Sequence, residues 1–68
     1  MRYVLEYVRA HPQQKPYFFS RHNGRAMWSD STADVPRYWT RIGAEEALRI
    51  LPKADKQHLK VSHVGIFG

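Results

Sequence analysis

Cysteine is absent from this 68-residue chain, which removes disulfides, thiolate zinc sites and thiol nucleophiles together. Small secreted domains are usually stapled by disulfides, so their lack points to a reducing, cytoplasmic setting. Acidic residues are scarce: six Asp and Glu stand against eleven Lys and Arg, a formal charge of +5. Such an excess suits nucleic acid, an acidic protein surface or a lipid headgroup layer, and does not choose among them. No apolar run approaches the roughly 20 residues that a membrane span needs; a membrane partner is not among those expected. The opening "MRYVLEYVRAHPQQ" carries Glu6 and Arg9 within its apolar part, which does not fit a signal peptide. Repeats, low-complexity tracts and linkers are also missing, which leaves one small domain over residues 1–68.

What the chain does have is aromatic bulk: two tryptophans, four tyrosines and three phenylalanines. Each can bury on the order of 150–250 Å², which matters where a short chain has little apolar surface to offset its conformational entropy. "RYVLEYVR" alternates Tyr3, Leu5 and Tyr7 against Val4, Glu6 and Val8, the pattern of a strand with the first set inward. Pro12 and Pro16 end it in a loop. "YFFSRH", Asn-Gly and "RAMWS" then read as a hairpin, since Asn23 and Gly24 tolerate the positive φ of a type I′ turn. That turn sets Phe19 opposite Trp28, Arg21 opposite Ala26 and His22 opposite Arg25. Tyr17, Phe19, Ala26 and Trp28 share one face, taken as the core; Phe18, Ser20, His22, Arg25 and Met27 share the other.

"DSTADVP" is turn chemistry, and "RYW" a short extended piece leading to Thr40 as a helix cap. Ala44, Ala47, Leu48 and Leu51 recur at helical spacing, predicting a helix over residues 41–51 with Glu45 and Arg49 paired on its outer face. Gly43 in its first turn predicts a frayed start, and Pro52 stops it. "KADKQH" is a polar connector with room for one helical turn. "LKVSHVGIF" is a last strand whose phase changes between Leu59/Val61 and Val64/Ile66, which predicts a bulge or a departure from the sheet. The order β-β-β-α-β, with "RYW" as a possible extra strand, gives an α+β fold: a small antiparallel sheet of three to four strands with one helix on one face. Leu5, Tyr7, Phe19, Trp28, Trp39, Leu48, Leu51 and Val61 are the expected core, with Trp39 packed as a staple on the helix start.

Nothing in this pattern is a catalytic signature. The four histidines lack metal-ligand spacing, and His58 and His63 fall on opposite sides of a strand start. No serine sits in a nucleophile motif, no glycine-rich loop cradles phosphate, and the carboxylate pairs Asp30/Asp34 and Glu45/Glu46 lie in a turn and on a helix surface. No catalytic residue, metal or cofactor is therefore expected. The charge distribution is more informative. Residues 7–29 hold no acid, yet include Arg9, Lys15, Arg21 and Arg25 with His11 and His22. The hairpin gathers Arg21, His22 and Arg25 at one tip, with Phe18 and Met27 on the face of His22 and Arg25. Cations beside an aromatic suit phosphates and stacked bases, or an anionic protein surface. Arg9, Lys15, Phe18, Arg21, His22, Arg25 and Met27 are thus the expected partner-binding residues.

The run "RYWTRIGAEEALRIL", with a hairpin before it and a strand after it, resembles a pattern in short uncharacterised proteins of bacteriophages and prophages. There an aromatic-Thr-Arg segment leads into a helix with an Ala-Glu-x-Ala-Leu stripe. The resemblance covers residues 17–64, and Gly43 departs from the usual charged residue. It implies a non-enzymatic accessory protein of the host bacterial cytoplasm that binds and modulates, by inhibition, a host protein or nucleoprotein complex such as a CRISPR effector, a polymerase or a nuclease. It carries over no functional residues. Direct nucleic-acid binding by the basic hairpin is the alternative. A homodimer closed over the sheet face of Val4, Val8, Phe18 and Met27 is a further expectation, because one helix covers one face.

Overall fold

A computed structural model describes residues 2–64, so Ile66 of the expected last strand lies outside the described residues. The elements are β1 (Arg2–Tyr7), β2 (Phe18–His22), β3 (Arg25–Ser29), a 3-10 turn (Thr32–Asp34), α1 (Arg41–Arg49), a four-residue helical turn α2 (Lys53–Lys56) and β4 (Leu59–Val64). The strands form one antiparallel sheet in the order β3-β2-β1-β4. This is the small α+β fold that the turn chemistry and the helical stripe predict.

The two sides of β1 are paired very differently. Along β4 the register runs unbroken from Arg2↔Val64 to Tyr7↔Leu59. Toward β2, only Glu6↔Phe18 is in register, extended by the Tyr7 N–H donating to the Tyr17 carbonyl at 2.9 Å. The hairpin then diverges, and Tyr38 takes the vacated edge: the N–H of Tyr3 and the N–H of Tyr38 each donate to the other's carbonyl at 2.8 Å. The "RYW" piece is thus a single bridge instead of a full strand. It pairs with β1 on the edge where β2 is no longer in register.

Both sheet faces carry core. On one, Leu5, Phe19 and Leu59 are buried against Tyr7, Tyr38, Leu48, Leu51 and Val61. α1 packs on β1 and β4 on this face, with Ala44 fully buried. On the other, Val4 and Val64 are buried with Val35, and Phe18 packs against them. This second cluster explains the phase change of β4. Leu59 and Val61 serve the helix face and Val64 the opposite one, with every residue of the strand in regular pairing, so no bulge is present at residues 59–64. The strand needs apolar residues on both sides because both sides are covered.

Helix α1 begins as expected and ends early. The Thr40 hydroxyl accepts from the Gly43 N–H at 3.0 Å, and the Thr40 carbonyl from the Ala44 N–H at 3.1 Å, so the start is capped and not frayed. A Cβ at Gly43 would sit 3.1 Å from the Thr40 hydroxyl oxygen, so glycine gives the cap its room. Leu51 lies beyond the helix, its N–H donating to the Leu48 carbonyl at 3.2 Å before Pro52. On the outer face Arg41 pairs with Glu45 at 3.1 Å and Arg49 with Glu46 at 2.6 Å, in place of the expected Glu45–Arg49 pair.

Three residues expected in the core are on the surface, Ala26 of β3 among them. Trp28 is 65 % exposed and Trp39 is 73 % exposed. Trp28 does face Phe19, but β3 is the outermost strand, beyond the cover of α1. Trp39 follows Tyr38 in extended chain, so once the bridge to Tyr3 turns Tyr38 inward, Trp39 points out. Its staple partner would be Ala44, too short to hold an indole.

Candidate interaction surface

The hairpin tip has the predicted geometry. Asn23 and Gly24 have φ of 52° and 78°, and the pairs Phe18↔Ser29, Phe19↔Trp28, Ser20↔Met27, Arg21↔Ala26 and His22↔Arg25 follow from a two-residue turn. Every residue of β3 except Ser29 is exposed. The Tyr17 ring meets Trp28 edge-on at 5.0 Å and 83°. Tyr7, Gln14, Tyr17 and Trp28 line an open hollow of about 410 Å³ on this side.

Ion pairing divides the cations into two sets. Five carboxylates each hold one cation: Glu6–Arg9 at 3.6 Å, Asp30–Lys15 at 3.0 Å, Asp55–Arg21 at 3.8 Å, and the two helix pairs. The sixth, Asp34, accepts the Ser29 hydroxyl at 3.2 Å and has no cation beside it among the described residues. Among the described residues, Arg2, Arg25, Arg37, Lys53, Lys56 and Lys60 have no carboxylate within ion-pair distance. Three of the residues expected to meet a partner, Arg9, Lys15 and Arg21, are therefore engaged within the chain. Lys15 and Asp30 shift each other through their hydrogen bond: the ammonium is held above its ordinary value of 10.5 and the carboxyl below 3.8. Arg21 also donates to the Gly24 carbonyl at 3.3 Å. Replacing Arg21 by an acid sets two carboxylates side by side, so charge reversal there is no clean probe of binding.

His22, Arg25 and Met27 remain exposed on the second sheet face, and Phe18 is half-buried beside the Val4 cluster. The apolar patch expected from Val4, Val8, Phe18 and Met27 is broken up. Val4 is fully buried, while Val8 and Met27 are 57 % and 48 % exposed. Glu6 is buried on this face, where the Ser62 hydroxyl donates to one of its oxygens at 2.7 Å. The Glu6–Ser62 contact joins β1 to β4 and serves the fold. Among the described residues, no group of three His, Cys, Asp or Glu side chains converges on a metal-sized space.

A second surface, not among the expected partner-binding residues, lies at the start of α1. The Arg2 guanidinium sits 4.8 Å from the centre of the exposed Trp39 ring, a cation–π contact of the kind that contributes about 0.5–1 kcal/mol at exposed sites. Arg37 lies two residues before Trp39 and Ile42, 73 % exposed, three after it. Sequence pattern misses this surface because two adjacent aromatics, Tyr38 and Trp39, look equally apt for the core. Only the bridge from Tyr38 to Tyr3 separates them. No protein-family model, curated protein or solved structure matches the chain.

Proposed function

We propose that the chain is a non-enzymatic interaction module that binds and modulates a partner protein, with Trp39 at the centre of the contact. The observation that carries this reading is the exposure of Trp39, 73 % in solvent with Arg2 stacked on it at 4.8 Å. A tryptophan in contact with a cation and flanked by apolar side chains is what protein interfaces use as an anchor, and tryptophan and arginine dominate their binding energy. Arg2 and Arg37, which no carboxylate pairs among the described residues, favour a partner with an acidic rim around an apolar socket. The phage-type resemblance implies a bacterial host protein or nucleoprotein complex, and such a surface suits either.

The test is capture from nuclease-treated bacterial lysate by immobilised wild type, Trp39→Ser and Arg37→Glu proteins. The wild type should retain a partner after nuclease treatment. Trp39→Ser should lose about thirtyfold in affinity for it, the equivalent of a hot-spot contribution of roughly 2 kcal/mol. A captured partner that Trp39→Ser binds normally overturns the reading. The exposed His22 and Arg25 favour a second reading, direct nucleic-acid binding by the hairpin tip. Under that reading capture disappears on nuclease treatment, and affinity falls by orders of magnitude between about 50 and 200 mM salt if several phosphates are held.

A further inference from the structure

β3 is an edge strand with an open outer side, and its residues are unusually well matched to themselves. In a hairpin closed by two residues, the pair flanking the turn exchanges both backbone bonds, and the bonding pairs then alternate. His22↔Arg25, Ser20↔Met27 and Phe18↔Ser29 are the bonded pairs. Ala26 and Trp28 therefore direct their N–H and carbonyl groups outward, away from β2. Natural sheets blunt such edges with proline, bulges or inward charges. β3 has no proline, pairs without a bulge, and presents exposed Met27 and Trp28.

We propose that β3 pairs antiparallel with β3 of a second copy about a two-fold axis at Met27, joining two four-stranded sheets into one of eight. This occupant differs from the homodimer over a sheet face expected from the pattern, and it makes no use of the Trp39 surface. Only outward groups of both strands can bond each other, which leaves registers centred on residue 26, 27 or 28. The Met27 centre alone overlaps the whole strand. It pairs Ala26 with Trp28 of the second copy and the reverse, giving four backbone hydrogen bonds. It also lays each exposed indole over an alanine, where a centre at Trp28 would set two indoles against each other. Met27 meets its own copy in the non-bonded central pair, where side chains approach most closely.

Charge selects the same register. It sets Arg25 across from Ser29 of the second copy, and Ser29 is hydrogen-bonded to Asp34 at 3.2 Å. Among the described residues, Arg25 has no carboxylate within ion-pair distance, and Asp34 is the carboxylate that no cation pairs. The two-fold brings each Arg25 to the Asp34 of the other copy, on the same face as Met27. Two pairs left incomplete within one chain are completed between two.

Sedimentation equilibrium at concentrations up to the millimolar range tests this, with the wild type expected at twice the 8.0 kDa chain mass. Arg25→Glu alone and Asp34→Arg alone should each weaken the dimer by roughly tenfold or more, by turning attraction into repulsion. The double variant exchanges the two charges and should recover most of that loss. Ala26→Pro removes an outward N–H without touching the bonds to β2, so it should give a folded monomer, checked by near-ultraviolet circular dichroism. A wild type that stays monomeric overturns the proposal. So does a dimer indifferent to both reversals, or a charge exchange that fails to restore association. Capture of a host partner by a monomer would leave the Trp39 reading standing while this one fell.

Discussion

The β1–β4–α1 half of the molecule and the β2–β3 hairpin are built from the same kinds of residue, yet one is enclosed and the other open. In the first, β1 and β4 pair over six residues, and Val4, Leu5, Leu59 and Val64 are buried by cover on both faces. In the second, Phe19 is the one buried residue of ten strand positions, and Met27 and Trp28 face water. Aromatic content does not separate them, because "FFSRH" and "RAMWS" together carry three aromatics in ten residues and "RYVLEY" two in six. Position in the sheet does. β1 has neighbours on both sides and helix α1 packed on it, whereas β3 has one neighbour and its residues other than Ser29 are exposed. A strand's own pattern says which residues share a face; its place in the order decides whether that face is used for stability or left for contact.

Breaking the enclosed half should have the largest effect. Leu5 lies at the centre of the helix-side cluster and is 3 % exposed. Leu5→Ala should cost about 2–5 kcal/mol through lost burial and a residual cavity. That is comparable with the whole stability of a domain this small, so loss of the cooperative thermal transition is the expected result. A melting temperature within a few degrees of wild type would mean that the core lies elsewhere.

The division also explains what was legible in the sequence. Local chemistry is readable: Asn23-Gly24 gives each hairpin pair correctly and Thr40 caps the helix, although the helix ends at Arg49, before Pro52. Non-local choices are not. Trp28 has the right partner and face but the wrong burial, because the order β3-β2-β1-β4 is set by which strands meet across the chain. The cover of Val4 by Val35 joins residues 31 apart in sequence, and a one-helix pattern gives no hint of it. Arg9, Lys15 and Arg21 looked free because no acid lies in residues 7–29, yet their partners are Glu6, Asp30 and Asp55. For Lys15 and Arg21 the neutralising acid lies far along the chain, so the pairing is a tertiary property that local pattern does not carry, whereas Glu6 stands three residues from Arg9.

A second, smaller effect sharpens the contrast through pH. Burial, and then the charge of Asp55, push the Tyr7 phenol above its ordinary value of 10.0, and burial does the same to Tyr38. Both rings pack on the enclosed half. A raised phenol favours the neutral form in the fold, so its contribution is intact below about pH 10 and is lost as pH rises through the folded value. Melting temperature should therefore hold to pH 9 and fall by pH 11. Part of that fall should disappear in the Tyr7→Phe, Tyr38→Phe double variant. An alkaline fall of equal size in both proteins would assign it to other groups.

The smallest effect concerns the tie between the two halves. Arg21 of β2 reaches Asp55 of α2 at 3.8 Å, an ion pair with both side chains partly in solvent and too long for a hydrogen bond. Pairs of this kind contribute about 0.2–1 kcal/mol, and salt screens them. Arg21→Gln should lower the melting temperature by no more than about 8 °C for a domain of this size. The difference from wild type should shrink in molar salt. Hydrogen exchange then tells whether the hairpin opens by itself. If it does, losing the tie should speed exchange at the bonded amides of β3, while β1 and β4 amides slow to exchange change only with the small loss in global stability. Equal acceleration in all four strands would mean that the hairpin and the enclosed half unfold as one unit. The openness of β3 would then be a matter of surface alone.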